Sequence, residues 1–169
     1  VLFLEKTKDY GTAWRVLRLP SVTDQLLIKA QRIRSIQEKG TQLVEDNIEG
    51  EFIGLVNYSI IALLQLHLPK DSDTELAIEH VQHLYTEEAK TTFDLLTRKN
   101  HDYNEAWRSM RITSMTDIIL MKLLRIKQIE DNEGKTLVSE GIDANYRDII
   151  NYAIFCLIKM HETQSQSNS

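Results

Sequence analysis

Residues 9–18, DYGTAWRVLR, return as residues 102–111, DYNEAWRSMR, and this echo decides the fold. The match continues at the same spacing of 93: Ser21, Thr23 and Asp24 answer to Ser114, Thr116 and Asp117, and Lys29, Arg32, Ile33 and Ile36 to Lys122, Arg125, Ile126 and Ile129. Past a loop the spacing becomes 94, where Asn57-Tyr58, Ile60, Leu63 and His67 find counterparts in Asn151-Tyr152, Ile154, Leu157 and His161. Two copies are too few for an open solenoid, which needs several units to cover its faces. The repeat therefore predicts a closed pair about a pseudo-twofold axis, resembling a homodimer fused into one chain.

Around the echo the apolar residues recur at helical spacing. Leu26, Leu27, Ile28, Ile33 and Ile36 predict a helix from Thr23 to Lys39, with Ser21 or Thr23 as N-cap and Gly40 as its stop. Its counterpart runs from Thr116 to Asn132 and stops at Gly134. Segments 51–68 and 144–160 are apolar on nearly every side, which places both at the centre of the bundle. The expectation is an all-α helical bundle: repeat one over 1–68, a linker over 69–73, repeat two over 74–161 and a disordered tail over 162–169. A helix is expected from Thr74 to Arg98, and only Val1 to Lys8 precede the first Asp-Tyr, so repeat one is expected to lack its first helix and residues upstream of Val1 to be missing.

Composition bounds the function classes. The chain has 169 residues, 42% of them hydrophobic, and Lys+Arg 20 against Asp+Glu 25 gives a net charge of -5. That balance argues against nucleic acid as partner and leaves room for a local basic site. One cysteine, Cys156, forms no internal disulfide and points to a reducing, cytoplasmic setting. The longest nearly apolar stretch, 149–158, is well short of the ~20 residues that span a bilayer, so no membrane association is expected. A homo-oligomer is compatible with the pattern. No Gly-rich phosphate loop, nucleophile elbow or Cys/His nucleophile arrangement is present.

Between Asp9 and Lys39 six basic residues face three acidic ones. Arg15, Arg18, Lys29 and Arg32, with Arg108, Arg111, Lys122 and Arg125 in repeat two, are the candidate ligands of a phosphate, because guanidinium forks grip its oxygens and lysine adds a point charge. The structural alternative has Asp9, Asp24, Asp102 and Asp117 neutralise these bases in ion pairs that lock the loop onto the helix. Trp14 and Trp107 serve either as base-stacking surfaces or as buried plugs anchoring their loops, with Tyr10 and Tyr103 in the same role. Asp102 and Tyr103 belong to the candidate polar site.

Asp148-x-x-Asn151-Tyr152 puts a carboxylate and an amide on one helix face, where repeat one has Gly54-x-x-Asn57-Tyr58. Asp148, with Asp117, is the candidate ligand of a magnesium ion; otherwise Asn57 and Asn151 pair across the axis and Asp148 is a cap or ion-pair partner. His80, His83 and Glu87 have a spacing that can bind metal, but a solvated face explains them as well.

The strings KTKDYGTAWRVLR, KNHDYNEAWRSMR and RDIINYAIF resemble the nucleotide modification associated domain, type one, a bacterial and phage family. That resemblance covers almost the whole chain twice and implies a link to nucleotide or nucleic-acid modification. More distantly, Asp148-x-x-Asn151 resembles the second acidic motif of all-α nucleoside triphosphate pyrophosphatases of the MazG and dimeric dUTPase type. Those enzymes hold magnesium with Glu-x-x-Glu on one helix and Glu-x-x-Asp on the next. Here Lys122-x-x-Arg125 stands where the first acids would be and Asn151 replaces the last, which leaves carboxylates such as Asp117, Glu140 and Asp143 to substitute. The expected ligand is a nucleotide or other phosphate-containing small molecule, with or without magnesium. It is placed in repeat two beside Arg108, Lys122, Arg125, Asp148 and Asn151, with weaker binding in repeat one, where Gly54 offers no carboxylate.

Overall fold

A computed structural model describes residues 2–40, 47–69, 75–133 and 141–169. Among these residues six α-helices follow in order: α1 (Leu2–Tyr10), α2 (Leu19–Lys39), α3 (Ile48–His67), α4 (Ile78–Tyr103), α5 (Ile112–Asp131) and α6 (Ile142–Ser167). Among the described residues there is no strand. The motif Ala-Trp-Arg forms a single 3-10 turn in each repeat, Ala13–Val16 and Ala106–Ser109.

Four helices close the core by packing α3 on α6, α2 on α3, α5 on α6 and α2 on α5, while α4 lies over α3 and α6 and carries α1. Phe52, Leu55, Ile60 to Leu64, Tyr146, Ile149, Ile150, Phe155 and Cys156 are buried, as the all-round apolar pattern of α3 and α6 predicts.

The axis is visible in reciprocal contacts between α2 and α5. Lys127 Nζ lies 3.2 Å from Asp24 and Arg34 Nη1 lies 3.7 Å from Asp117, and each pair maps onto the other by the repeat spacing. One turn further out, Thr23 donates to Glu130 at 2.6 Å, and Gln37 donates to Thr116 at 3.0 Å. Such mutual exchange of partners is the mark of a twofold interface. The two repeats are thus related by a pseudo-twofold axis passing between α2 and α5.

Helix ends depart from several expectations. Neither Ser21 nor Thr23 caps α2: the helix starts at Leu19 with Pro20 in its first turn, where a missing N–H costs nothing. Thr23 is instead buried, its hydroxyl linking Leu19 O, Glu130 and Tyr146 Oη. Gly40 does end α2 in the left-handed region, at φ 68°. α5 ends at Asp131, and Gly134 lies outside the described residues. Asn47 caps α3 by accepting from Gly50 N at 3.2 Å. α4 begins at Ile78 rather than Thr74 and runs past Arg98 to Tyr103. α1 corresponds only to the last part of α4. Residues 162–167, expected to be disordered, continue α6 as exposed turns, with Thr163 and Ser167 hydroxyls bonded one turn back at 2.9 and 3.1 Å.

Repeat two places an acid and a phenol where repeat one has an amide and a phenyl ring, since Glu130 is the counterpart of Gln37 and Tyr146 that of Phe52. Burial raises the Glu130 carboxyl above its ordinary range, the Thr23 bond opposes this, and the Asp24 and Asp131 carboxylates add to the rise. A carboxyl raised on folding makes the native state bind more protons, so its contribution to stability falls as pH climbs through the folded pKa. Glu130→Gln is therefore expected to raise the melting temperature at pH 7 and to change it little below about pH 4, where glutamate is protonated in both states. Melting curves at the two pH values check this; a loss at pH 7 contradicts it.

Candidate functional site

Each Asp-Tyr motif ends a helix. Tyr10 closes α1 and Tyr103 closes α4, and the next residue, Gly11 (φ 62°) or Asn104 (φ 50°), adopts the left-handed conformation that stops a helix. The chain then turns through the 3-10 segment, whose carbonyls are held by one position of the central helix. Gln65 donates to the carbonyls of Trp14, Arg15 and Leu17 at 3.2, 3.2 and 2.7 Å. Its counterpart Lys159 donates to the carbonyl of Arg108 at 3.0 Å and to that of Met110. An amide and an ammonium thus do the same work.

Between the motif and the central helix each repeat leaves a cleft. The repeat-one cleft, of about 450 Å³, is lined by Lys6, Tyr10, Trp14, Lys29, Gly54, Asn57 and Tyr58 among others. The repeat-two cleft, of about 360 Å³, has Lys99, Tyr103, Trp107, Asp148, Asn151 and Tyr152 in its wall. Every residue lining the second has its repeat counterpart lining the first.

Charge separates them. In repeat two both oxygens of Asp148 are taken, Oδ1 by Lys99 at 3.0 Å and Oδ2 by Lys122 at 2.9 Å. In repeat one Gly54 stands at that position, and a Cβ there would meet the end of the Lys29 side chain at 3.1 Å. Lys29 crosses the glycine, lies 5.4 Å from the centre of the Tyr58 ring, and reaches Glu51 only at 3.8 Å. Glu51 itself is held by Arg32 at 2.6 Å. Among the described residues no carboxylate lines the repeat-one cleft and none pairs with Lys6. Glu75 lies against the backbone of Gly11.

The candidate residues fall into three groups. Lys29, Asn57, Asp148, Asn151 and Tyr103 line the clefts. Others are engaged elsewhere: Arg15 with Gln65 and with Pro69 O at 3.0 Å, Arg32 with Glu51, and Arg108 with Glu105, Glu162 and the face of Trp107. Arg18, Arg111 and Arg125 are exposed on α2 and α5 or at their starts. Asp24 and Asp117 do neutralise bases, but across the axis on Lys127 and Arg34; Asp102 is exposed beside His101. Tyr10 and Tyr103 are not plugs: each is more than two-thirds exposed at the rim of its cleft. Trp107 is buried and Trp14 half-buried, and both are cleft walls.

Asn57 and Asn151 do not meet across the axis, because each faces its own cleft. Asn57 Oδ1 accepts from Tyr85 at 3.4 Å, whereas Asn151 Oδ1 is buried with no partner. The magnesium pair is not assembled. Two ammonium groups occupy both oxygens of Asp148, Asp117 faces Arg34, and among the described residues no three His, Cys, Asp or Glu groups cluster as metal ligands. Glu140 lies outside the described residues, and Asp143 pairs with Arg147 at 3.1 Å. His80, His83 and Glu87 are exposed on α4. Burial pushes the Cys156 thiol up to about 12, which leaves it protonated and inert.

Lys6 and Lys99 were absent from the sequence-based candidates. Their signal is their place at the head of KTKDY and KNHDY, 93 residues apart.

Fold and clefts define the class: a tandem all-α repeat protein in which each repeat presents a cleft of lysine, tyrosine, tryptophan and asparagine. The chain belongs to the family described as Nucleotide modification associated domain 1, whose model matches residues 6–66 and 99–160. Each matched segment opens on a cleft lysine, and the cleft-lining residues Asn57 and Asn151 lie within it. No curated protein and no solved structure matches the chain. Among the described residues no helix is long and apolar enough to cross a membrane.

Proposed function

We propose that this chain binds a nucleotide in the repeat-one cleft, with its phosphate between Lys6 and Lys29. The observation that carries this reading is the charge asymmetry: the same two lysine positions meet a built-in carboxylate in repeat two and a glycine in repeat one. A half-buried Lys29 with the exposed Lys6 at the same cleft and no lining acid attracts an anion, since charge at Lys29 is less screened than on an open surface. Tyr10, Tyr58 and Trp14 supply aromatic faces for a base, and Asn57 an amide for its edge. This reverses the placement expected from the motifs, which put the stronger site in repeat two. The reading is one of binding, in keeping with the family's link to nucleotide modification, and assigns no nucleophile or general base.

A thermal-shift series of nucleoside mono-, di- and triphosphates, with and without magnesium, tests it. A ligand at about a hundred times its Kd adds roughly 2.7 kcal/mol of stability. For a chain this long that is roughly 5–10 °C of melting temperature. Lys29→Ala should abolish the shift, magnesium should not be required, and Lys122→Ala should leave the shift in place. A second reading, a non-catalytic helical interaction protein, is favoured by the ion pairs that occupy Arg32, Lys122 and Arg108. It takes first place if no nucleotide at millimolar concentration moves the transition.

A further inference from the structure

We propose that the repeat-two cleft is a second binding site, and that its ligand is an uncharged heterocycle, a nucleoside or free nucleobase without phosphate. The proposal rests on the reading of repeat one as the anion site, because the two clefts are the same construction with one decisive change. At position 148 a carboxylate holds both lysines, Lys99 at 3.0 Å and Lys122 at 2.9 Å, so the charge that a phosphate would bring is already present. An incoming anion must displace Asp148 or lie beside it, and like charges in a half-buried setting repel. Asp148 therefore excludes anions without closing the cleft.

What remains open suits a flat, neutral, hydrogen-bonding molecule. Asn151 is 4% exposed, lines the cleft, and its Oδ1 has no partner. A buried amide left unsatisfied costs free energy that a ligand donor recovers. In repeat one the corresponding oxygen already takes the Tyr85 hydroxyl at 3.4 Å, so the two amides differ in what they offer. Around Asn151 the walls are aromatic: Trp107 stacks on Phe155 with ring centres 4.4 Å apart and 3° between planes, and Tyr103 and Tyr152 flank the opening. A cavity of about 360 Å³ with two amides, Asn100 and Asn151, and aromatic sides matches the usual form of a small-molecule site.

Calorimetric titration of the full chain with adenosine, guanosine, cytidine and thymidine, and separately with inorganic phosphate, tests the proposal. At least one nucleoside should bind. Asn151→Ser and the surface variant Tyr103→Ala should each weaken it about tenfold, the loss expected of one hydrogen bond or stacking contact, while His80→Ala on the exposed face of α4 leaves it unchanged. Asp148→Gly, with Asp148→Asn as the shape-preserving alternative, should raise the phosphate stoichiometry from one per chain to two. Absence of nucleoside binding at millimolar concentration, binding that survives both cleft variants, or unchanged phosphate stoichiometry in folded Asp148 variants overturns the proposal. Failure of phosphate to bind the unaltered chain, with nucleoside binding intact, counts against the repeat-one reading and leaves the neutral site standing.

Discussion

Trp107→Ala should destabilise the protein by roughly 3 to 5 kcal/mol, the range for aromatic truncation in a packed core. The side chain is 6% exposed, stacks on Phe155 at 4.4 Å, and carries the Arg108 guanidinium 4.6 Å from its ring centre. Its removal takes the large apolar anchor from a loop that is otherwise held by the carbonyl bonds to Lys159 and the Arg108–Glu162 pair. Trp14→Ala should cost less, because Trp14 is only half-buried and meets Phe3 at 6.3 Å in a tilted contact. Urea unfolding of the two variants checks both magnitude and order. A loss below about 1 kcal/mol for Trp107→Ala, typical of surface substitutions rather than core ones, would contradict the assignment.

The second large effect lies on the axis. The reciprocal bonds Thr23 to Glu130 and Gln37 to Thr116 fix the antiparallel register of α2 and α5. Counting two helical turns inward from either bond sets Ala30 opposite Leu123, and both are 0% exposed. They are repeat counterparts, so a true twofold would set like against like, whereas the fused chain pairs small with large. Leu123→Ala should cost roughly 2 to 5 kcal/mol through the cavity it leaves. Ala30→Leu should cost roughly 1 to 3 kcal/mol through overpacking. The double variant Ala30→Leu/Leu123→Ala conserves volume across the axis and should recover most of the loss, giving a coupling well outside additivity. Simple addition of the two single losses in denaturation experiments would show that the residues do not face each other.

The repeat and the buried central helices were legible because they are written in residue identity and in apolar periodicity, both local properties. Partnership was not. Asp24 and Asp117 sit beside the bases Arg15, Arg18 and Arg32 or their counterparts in sequence, yet they pair across the axis with Lys127 and Arg34, since an antiparallel helix pair brings opposite ends together. Tyr10 and Tyr103 are the last residues of their helices and stay exposed at the cleft rims, a placement that residue type alone does not reveal. The asymmetry between Gly54 and Asp148 was visible in sequence, but its sign was not. A lone carboxylate beside an amide suggested a metal, and only the two ammonium groups on its oxygens show it to be the partner of the cleft lysines. Lys6 and Lys99 sit three residues before each Asp-Tyr on the same helix, where a single exposed lysine carries no motif of its own.

Soaking crystals of the unaltered chain with a nucleoside monophosphate and locating the phosphorus in difference density tests the central claim most directly. The account predicts phosphate between Lys6 and Lys29 over Gly54, with the Asp148 pairs to Lys99 and Lys122 undisturbed. Phosphate beside Lys122 and Arg125 with Asp148 turned away, or no nucleotide in the repeat-one cleft at a saturating millimolar concentration, would contradict it.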